Sequence, residues 1–243
     1  MAKYYIRPIP LCRGPRDKSQ WLYRMNCGET VDSCNYAWYI EGSEPKILVD
    51  TGAKAEMYQA HGLSEEDIQS LEEGLSKLEL KPEQIDIVIL THLHWDHVAL
   101  ASKLTRAKFI VQKAELEFAQ NPHPATAPEY DANLFKDLNF EVIEGDREII
   151  EGVKVFLTPG HTPGGQSVGV ETLKGLAVIT GFCCSLENFS PPPVFKAKGL
   201  TVVAPGIHTN ALQAYDSVLK VKQIADIVLP LHDAAFMNKD RIP

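Results

Sequence analysis

Long apolar runs are missing from this 243-residue chain. The longest purely aliphatic stretches are a few residues, such as 87–90, far short of the roughly 20 that a membrane-spanning helix needs. The segment MAKYYIRPIPLCRG has no signal-peptide apolar core, because Arg7, Pro8 and Pro10 interrupt it. A soluble, cytoplasmic protein without a membrane partner is expected. Cysteine is sparse and odd in number, five in all, with no regular framework spacing. That argues against a disulfide scaffold, and Cys12, Cys27 and Cys34 read as free thiols. Basic residues are outnumbered: 24 Lys and Arg against 32 Asp and Glu leave a formal charge of −8, which argues against bulk nucleic-acid binding. Repeats at solenoid periods and low-complexity tracts are missing as well. What is present is an ordinary globular composition, 44% hydrophobic and 23% charged, enough to bury a large core. One domain over residues 1–243 is expected.

Strand signals come first along the chain and alternate with helix signals later. Residues 35–41 and 46–50 predict a hairpin across a Gly-Ser-Glu-Pro turn, ending in Asp50-Thr51-Gly52. The spacing of Ile68, Leu71, Leu75 and Leu78 predicts a helix over 64–79, with Ser64 as its cap. The run IDIVIL at 85–90 predicts a strand covered on both faces. Further strands are expected near 109–111, 140–143, 153–157, 166–170, 176–180 and 226–230, with helices near 113–120 and 210–224. Residues 13–34 read as a polar, irregular segment with two uses open to it, a homodimer contact or a pocket lid.

The dominant chemical signal is Thr91-His92-Leu93-His94-Trp95-Asp96-His97, directly after the buried strand. His92 and His94 are two apart, so on extended backbone their rings face the same way. Asp96 and His97 follow where the chain must turn, and can serve an adjacent position. Imidazole suits zinc, iron, nickel and copper, and a carboxylate broadens the choice; one or two zinc ions are the leading expectation, with iron or manganese as alternatives. A second signal is Thr158-Pro159-Gly160-His161-Thr162-Pro163-Gly164, where Pro and Gly on both sides force a tight loop around one imidazole. A third is Leu229-Pro230-Leu231-His232-Asp233, again a histidine just past a strand end.

These residues, in this order and with the earlier LVDTG turn, resemble the metallo-β-lactamase superfamily over roughly residues 35–235. HLHWDH, Glu187-Asn188-Phe189 and the stretch from Pro205 to Asp233 are most similar to its N-acyl homoserine lactonase group. The resemblance implies an α/β fold, a four-layer αββα sandwich with a metal pair at one edge of its two sheets. By the resemblance, His92, His94 and His161 hold one metal and Asp96, His97 and His232 the other. Asp50 matches a carboxylate that steadies the ligand loop from behind.

Two departures from that group stand out. Its members place a bridging aspartate after the strand that precedes ENF, whereas residues 179–185 here hold no carboxylate. Either a cysteine thiolate substitutes, Cys183 before Cys184, or nothing does and the second metal is weak or absent; packing is the remaining use of both thiols. The group's tyrosine just past that aspartate is missing too, so homoserine lactone hydrolysis does not carry over.

The leading expectation is a hydrolase in which a metal-activated hydroxide opens an ester, lactone or amide of a small molecule. Asp96 is its catalytic residue, orienting the water and passing a proton to the leaving group. Trp95, Phe182, Phe189 and Phe195 are expected to wall the pocket, with His208 as a substrate contact. His61 and His123 read as surface residues. The alternatives are a mononuclear iron oxygenase of the same superfamily and a non-catalytic metal-binding module.

Overall fold

The computed structural model describes residues 3–243. Strand β1 (Tyr5–Asp17) runs antiparallel to β2 (Thr30–Glu41) over their whole length, from Tyr5 opposite Glu41 to Asp17 opposite Thr30. Strand β3 (Ile47–Val49) and then the two-residue β4 (Glu66–Asp67) follow. β3 lies between β2 and β5 (Ile87–Ile89), and the sheet continues in parallel through β6 (Lys108–Gln112) and β7 (Phe140–Ile143). With β4 on the outer edge of β1, the seven strands stand in the order β4-β1-β2-β3-β5-β6-β7. The second sheet holds β8 (Arg147–Ile150), β9 (Val153–Leu157), β10 (Gln166–Thr172), β11 (Gly175–Ile179) and β12 (Ile227–Leu229), in the order β12-β11-β10-β9-β8.

Alternation along the strands sorts the core into layers. Ile87 and Ile89 of β5 face the space between the sheets, where they join Trp38, Val155, Val168 and Ile179. Val88 faces the other way. It meets a cluster built on Leu71 and Leu75 of α2 (Leu71–Ser76), a helix that follows α1 (Ala55–Ala60). The same layer holds α3 (Trp95–Val98) and α4 (Lys113–Gln120), which contribute Val98 and Ala119. On the far side, beyond the short α5 (Pro193–Lys196), Val178 packs against Val218 and Val221 of α6 (Ala211–Ile224). The result is the four-layer αββα sandwich. Each fully buried Val, Leu or Ile adds about 1.5–3 kcal/mol to it by leaving water.

Two expectations fail here. Residues 13–34 are not irregular: residues 13–17 and 30–34 are paired strand, and only the connection between them leaves the sheet. Pro8, Pro10, Gly14 and Pro15 obscure β1, yet its outer side is paired only in places: with Ile242 at Ile6, with Ile68 at Leu11 and with β4 at Cys12 and Arg13. Prolines are tolerated at such an edge. The helix expected over 64–79 is confined to Leu71–Ser76. Ser70 caps it, accepting from the Glu73 N–H at 3.2 Å while Glu73 accepts from the Ser70 N–H at 2.8 Å. Of the four residues whose spacing predicts its buried face, Leu71 and Leu75 are fully buried, Leu78 only partly, and Ile68 is exposed.

Candidate active site

The loops that leave β3, β5, β9, β11 and β12 gather at one edge of the two sheets. Each carries a residue of the sequence pattern: Asp50, then His92 to His97, then His161, Cys183 and His232. The donor atoms form two clusters, His92 with His94 and His161, and Asp96 with His97 and His232, each within 4.8 Å.

Hydrogen bonds from behind fix which ring nitrogen faces the cluster. Asp50 is fully buried and takes the left-handed conformation with φ 56°. Its Oδ1 accepts from the Thr91 N–H at 2.7 Å, and its Oδ2 accepts from the Thr91 hydroxyl at 2.8 Å. His97 places Nδ1 2.8 Å from the same Oδ2, which draws the ring proton to that nitrogen. Thr91 spends its only hydroxyl hydrogen on Asp50, so at 3.0 Å it accepts from His92 Nδ1. His161 Nδ1 donates to the Ile207 carbonyl at 2.8 Å. Three imidazoles are thereby turned with Nε2 toward the donor clusters, as metal-binding histidines usually are.

The spacing of those nitrogens fits a metal ion. His97 and His232 bring Nε2 atoms to 3.2 Å, and His92 and His161 to 3.3 Å. Two imidazole nitrogens on a tetrahedral zinc, with Zn–N of about 2.05 Å, stand about 3.3 Å apart. Asp96 Oδ2 lies 3.5 Å from His97 Nε2 and 3.7 Å from His232 Nε2. Burial, reinforced by the neighbouring rings, holds His92 and His94 well below the usual histidine value. Burial likewise lowers His161 to about 4 and His232 to about 3. Neutral imidazole is the ligand form. Burial would also lower His97, but Asp96 and Asp50 outweigh it and hold its value up, the same negative field that favours a cation. Burial pushes Asp96 up, yet His97, His232 and His94 overcome that and hold its carboxyl well below the usual range. Asp96 is therefore ionised, and its Oδ2 also accepts from the Tyr58 hydroxyl at 3.2 Å.

One carboxylate that the spacing did not point to joins the two ligand loops. Glu115, fully buried at the start of α4, accepts from the Leu93 N–H (3.0 Å), the Thr162 hydroxyl (2.6 Å), the Gly164 N–H (3.1 Å) and the Tyr130 hydroxyl (3.4 Å). Leu93 separates His92 from His94, and Thr162 follows His161. The glycines of the second loop are required by close approach: a Cβ on Gly164 would strike the Glu115 backbone, and one on Gly160 (φ 119°) the Ala214 backbone.

The clusters open into a cavity of about 350 Å³. Trp95 lines it as expected, stacked on His61 with ring centroids 4.2 Å apart. His61 is exposed, as expected of a surface histidine, and also stands at the cavity wall. Phe182, Phe189, Phe195 and His208 do not line it. Past β11 the side chains alternate: Phe182 and Cys184 enter the layer under α6, where Phe189 also packs, and Cys183 faces the cavity. His208 turns Nδ1 to the Pro205 carbonyl at 2.8 Å and meets the edge of Tyr23. Cys184 lies 3.4 Å from the Thr180 hydroxyl, away from the ligands. Cys183 is in neither donor cluster. The connection between β1 and β2 supplies Gln20 and Trp21 to the wall, pinned by Asn188 Nδ2 donating to the Trp21 carbonyl at 2.7 Å.

Two stacked sheets with a double donor cluster at their common edge define a class, and residues 33–223 match the metallo-β-lactamase superfamily. The chain belongs to that superfamily and is a lactonase-like metallohydrolase. It is 33% identical to an N-acyl homoserine lactonase from a Bacillus species over 206 residues, 78% of this chain and 79% of that one. A crystal structure of a quorum-quenching N-acyl homoserine lactone lactonase superposes with a TM-score of 0.80 at 25% identity, covering 100% of this chain and 97% of that one. An N-acyl homoserine lactone hydrolase, with the product N-hexanoyl-L-homoserine at its catalytic metal centre, superposes at 0.77 and 25% identity, covering 100% and 98%.

Proposed function

We propose that this protein uses two zinc ions to open an ester, lactone or amide bond of a small molecule. The observation that carries the reading is the pair of donor clusters with Nε2–Nε2 distances of 3.2 and 3.3 Å on one cavity. His92, His94 and His161 would hold one ion, and Asp96, His97 and His232 the other. When bound, such ions supply a hydroxide nucleophile at neutral pH and polarise a carbonyl oxygen. Asp96 is ionised and faces the cavity, so its carboxylate is suited to orient the attacking water; passing a proton to the leaving group is the second role this reading gives it. The Tyr58 hydroxyl holds that carboxylate in place. Two three-residue clusters favour this reading over a mononuclear iron oxygenase. The cavity is small for a ligand site, which favours a compact substrate.

The test is turnover by zinc-loaded protein on a panel of lactones, esters and amides. Hydrolysis that chelation abolishes and zinc restores is expected, with about two ions per chain. No turnover across the panel, or oxygen uptake by an iron-loaded form, would sink the reading.

Cys183 is the sulfur donor on the cavity wall. The same reading gives it a thiolate bond to the second ion only after its side chain shifts toward Asp96, His97 and His232, because its sulfur stands outside their cluster. Burial pushes its thiol well up, so only a cation beside it would draw off the proton. Cobalt-substituted protein is expected to show a thiolate-to-cobalt charge-transfer band that Cys183→Ser removes. A spectrum unchanged by the substitution counts against the bond.

A further inference from the structure

Among the described residues, Arg16 is the one lysine or arginine that lines the metal cavity. It comes from β1, buried to 9% exposure, and the chemistry assigned above makes no use of it. Its Nη1 pairs with Glu65, a carboxylate almost wholly out of water, and donates to the Pro15 carbonyl at 3.0 Å. Its guanidinium carbon sits 5.1 Å from the centre of the Tyr58 ring, the same tyrosine whose hydroxyl reaches Asp96.

Burying such an ion pair costs several kcal/mol per charge and is poor evidence of a contribution to stability. What the arrangement provides is a guanidinium held in a fixed plane. Both named polar contacts fall on Nη1, and a guanidinium has five N–H donors, so others are left for whatever enters the cavity. That fork matches a planar carboxylate. Glu65 already balances part of the charge, and Asp96 and Glu129 also line the cavity. The field there suits a singly charged anion better than a dianion such as phosphate.

We propose that Arg16 is a specificity-determining residue that binds a carboxylate on the substrate, so that the preferred substrate carries a free carboxylate besides the bond to be broken. The proposal rests on the hydrolase reading for what happens at the metal end. For a lactone, or an ester or amide with that carboxylate on its acyl side, hydrolysis would then release a product with two carboxylates, one at the metal end and one at Arg16.

Calorimetric binding to zinc-loaded protein tests this without turnover. Succinate, glutarate and adipate are compared with butyrate, pentanoate and hexanoate. At the length that spans the cavity, the dicarboxylate is expected to bind about tenfold or more tightly than its partner, the gain of one charge-assisted pair. Arg16→Met should erase that preference and leave the monocarboxylates within about threefold, whereas Arg16→Lys should keep part of it. Because Arg16→Met strands Glu65, the double variant Arg16→Met/Glu65→Gln is measured beside it. Equal binding of mono- and dicarboxylates by the unaltered protein overturns the proposal. So does an Arg16→Met or double variant that weakens both classes equally. If the zinc-loaded protein hydrolyses nothing, the hydrolase reading fails, and the calorimetry still decides whether Arg16 binds a carboxylate.

Discussion

His94→Ala is expected to lower kcat/KM by at least about a thousandfold, or roughly 4 kcal/mol of transition-state stabilisation. His94 supplies one of three donors in the His92, His94 and His161 cluster, and the adjacent imidazole, His97, is held by Asp50 and belongs to the other cluster. The same change should cost the fold little. His94 sits in the loop before α3, makes edge contact with Tyr130 at 4.9 Å and lines an open cavity. A loss of about 1 kcal/mol, or 2–4 °C in the midpoint of thermal unfolding, is expected for a chain of this size. Metal analysis should show about one ion lost per chain, with the Asp96, His97 and His232 cluster still loaded. Activity close to that of the unaltered protein would remove His94 from the site.

The clustered histidines were legible in the sequence for a geometric reason. Each is anchored by a strand end, and strand ends are what apolar runs mark: IDIVIL before His92, and 226–230 before His232. The sandwich was legible by the same route, since alternation in those runs sends Val88 and Ile87 to different layers. Cavity walls carry no comparable mark. Arg16 and Trp21 lie on or beside β1, where prolines conceal a strand whose outer side is only partly paired. Tyr58 is on α1, a six-residue helix too short for a periodic pattern. Phe182 looked like a pocket residue because it neighbours the cavity in sequence, but a one-residue step at a strand end reverses a side chain, and Cys183 took the inward position. Glu115 was hidden differently. Its helix was foreseen, yet an acidic residue in a first helical turn is the ordinary partner of the helix dipole, and nothing local distinguishes a buried one.

Glu115→Ala should damage both the fold and the His92, His94 and His161 cluster, although Glu115 lies outside the cavity lining. Burial holds this carboxyl above the usual value, even though Thr162, Leu93, Gly164 and Tyr130 all donate to it. Its removal leaves the Leu93 and Gly164 N–H groups and the Thr162 hydroxyl buried without an acceptor. At about 1–3 kcal/mol for each stranded donor, the loss is on the order of 3–5 kcal/mol, since neighbouring losses do not add fully. Gly164 has no side chain to move into the gap, and Gly160 keeps the loop tight against α6, so relaxation is limited. Glu115→Gln preserves the volume and one acceptor but turns a donor toward Thr162 or Leu93, and should cost about 1–3 kcal/mol. The effect at the site follows from which loops are released. His92, His94 and His161 lie on the two loops that Glu115 joins, whereas His97 is held by Asp50 and His232 leaves β12. Metal titration of Glu115→Gln should therefore show the first site weakened by about 10–100-fold and the second nearly unchanged. Equal weakening of both sites would mean that Glu115 supports the sheet edge as a whole, and unaltered affinity at both would mean that the loops hold their shape without it.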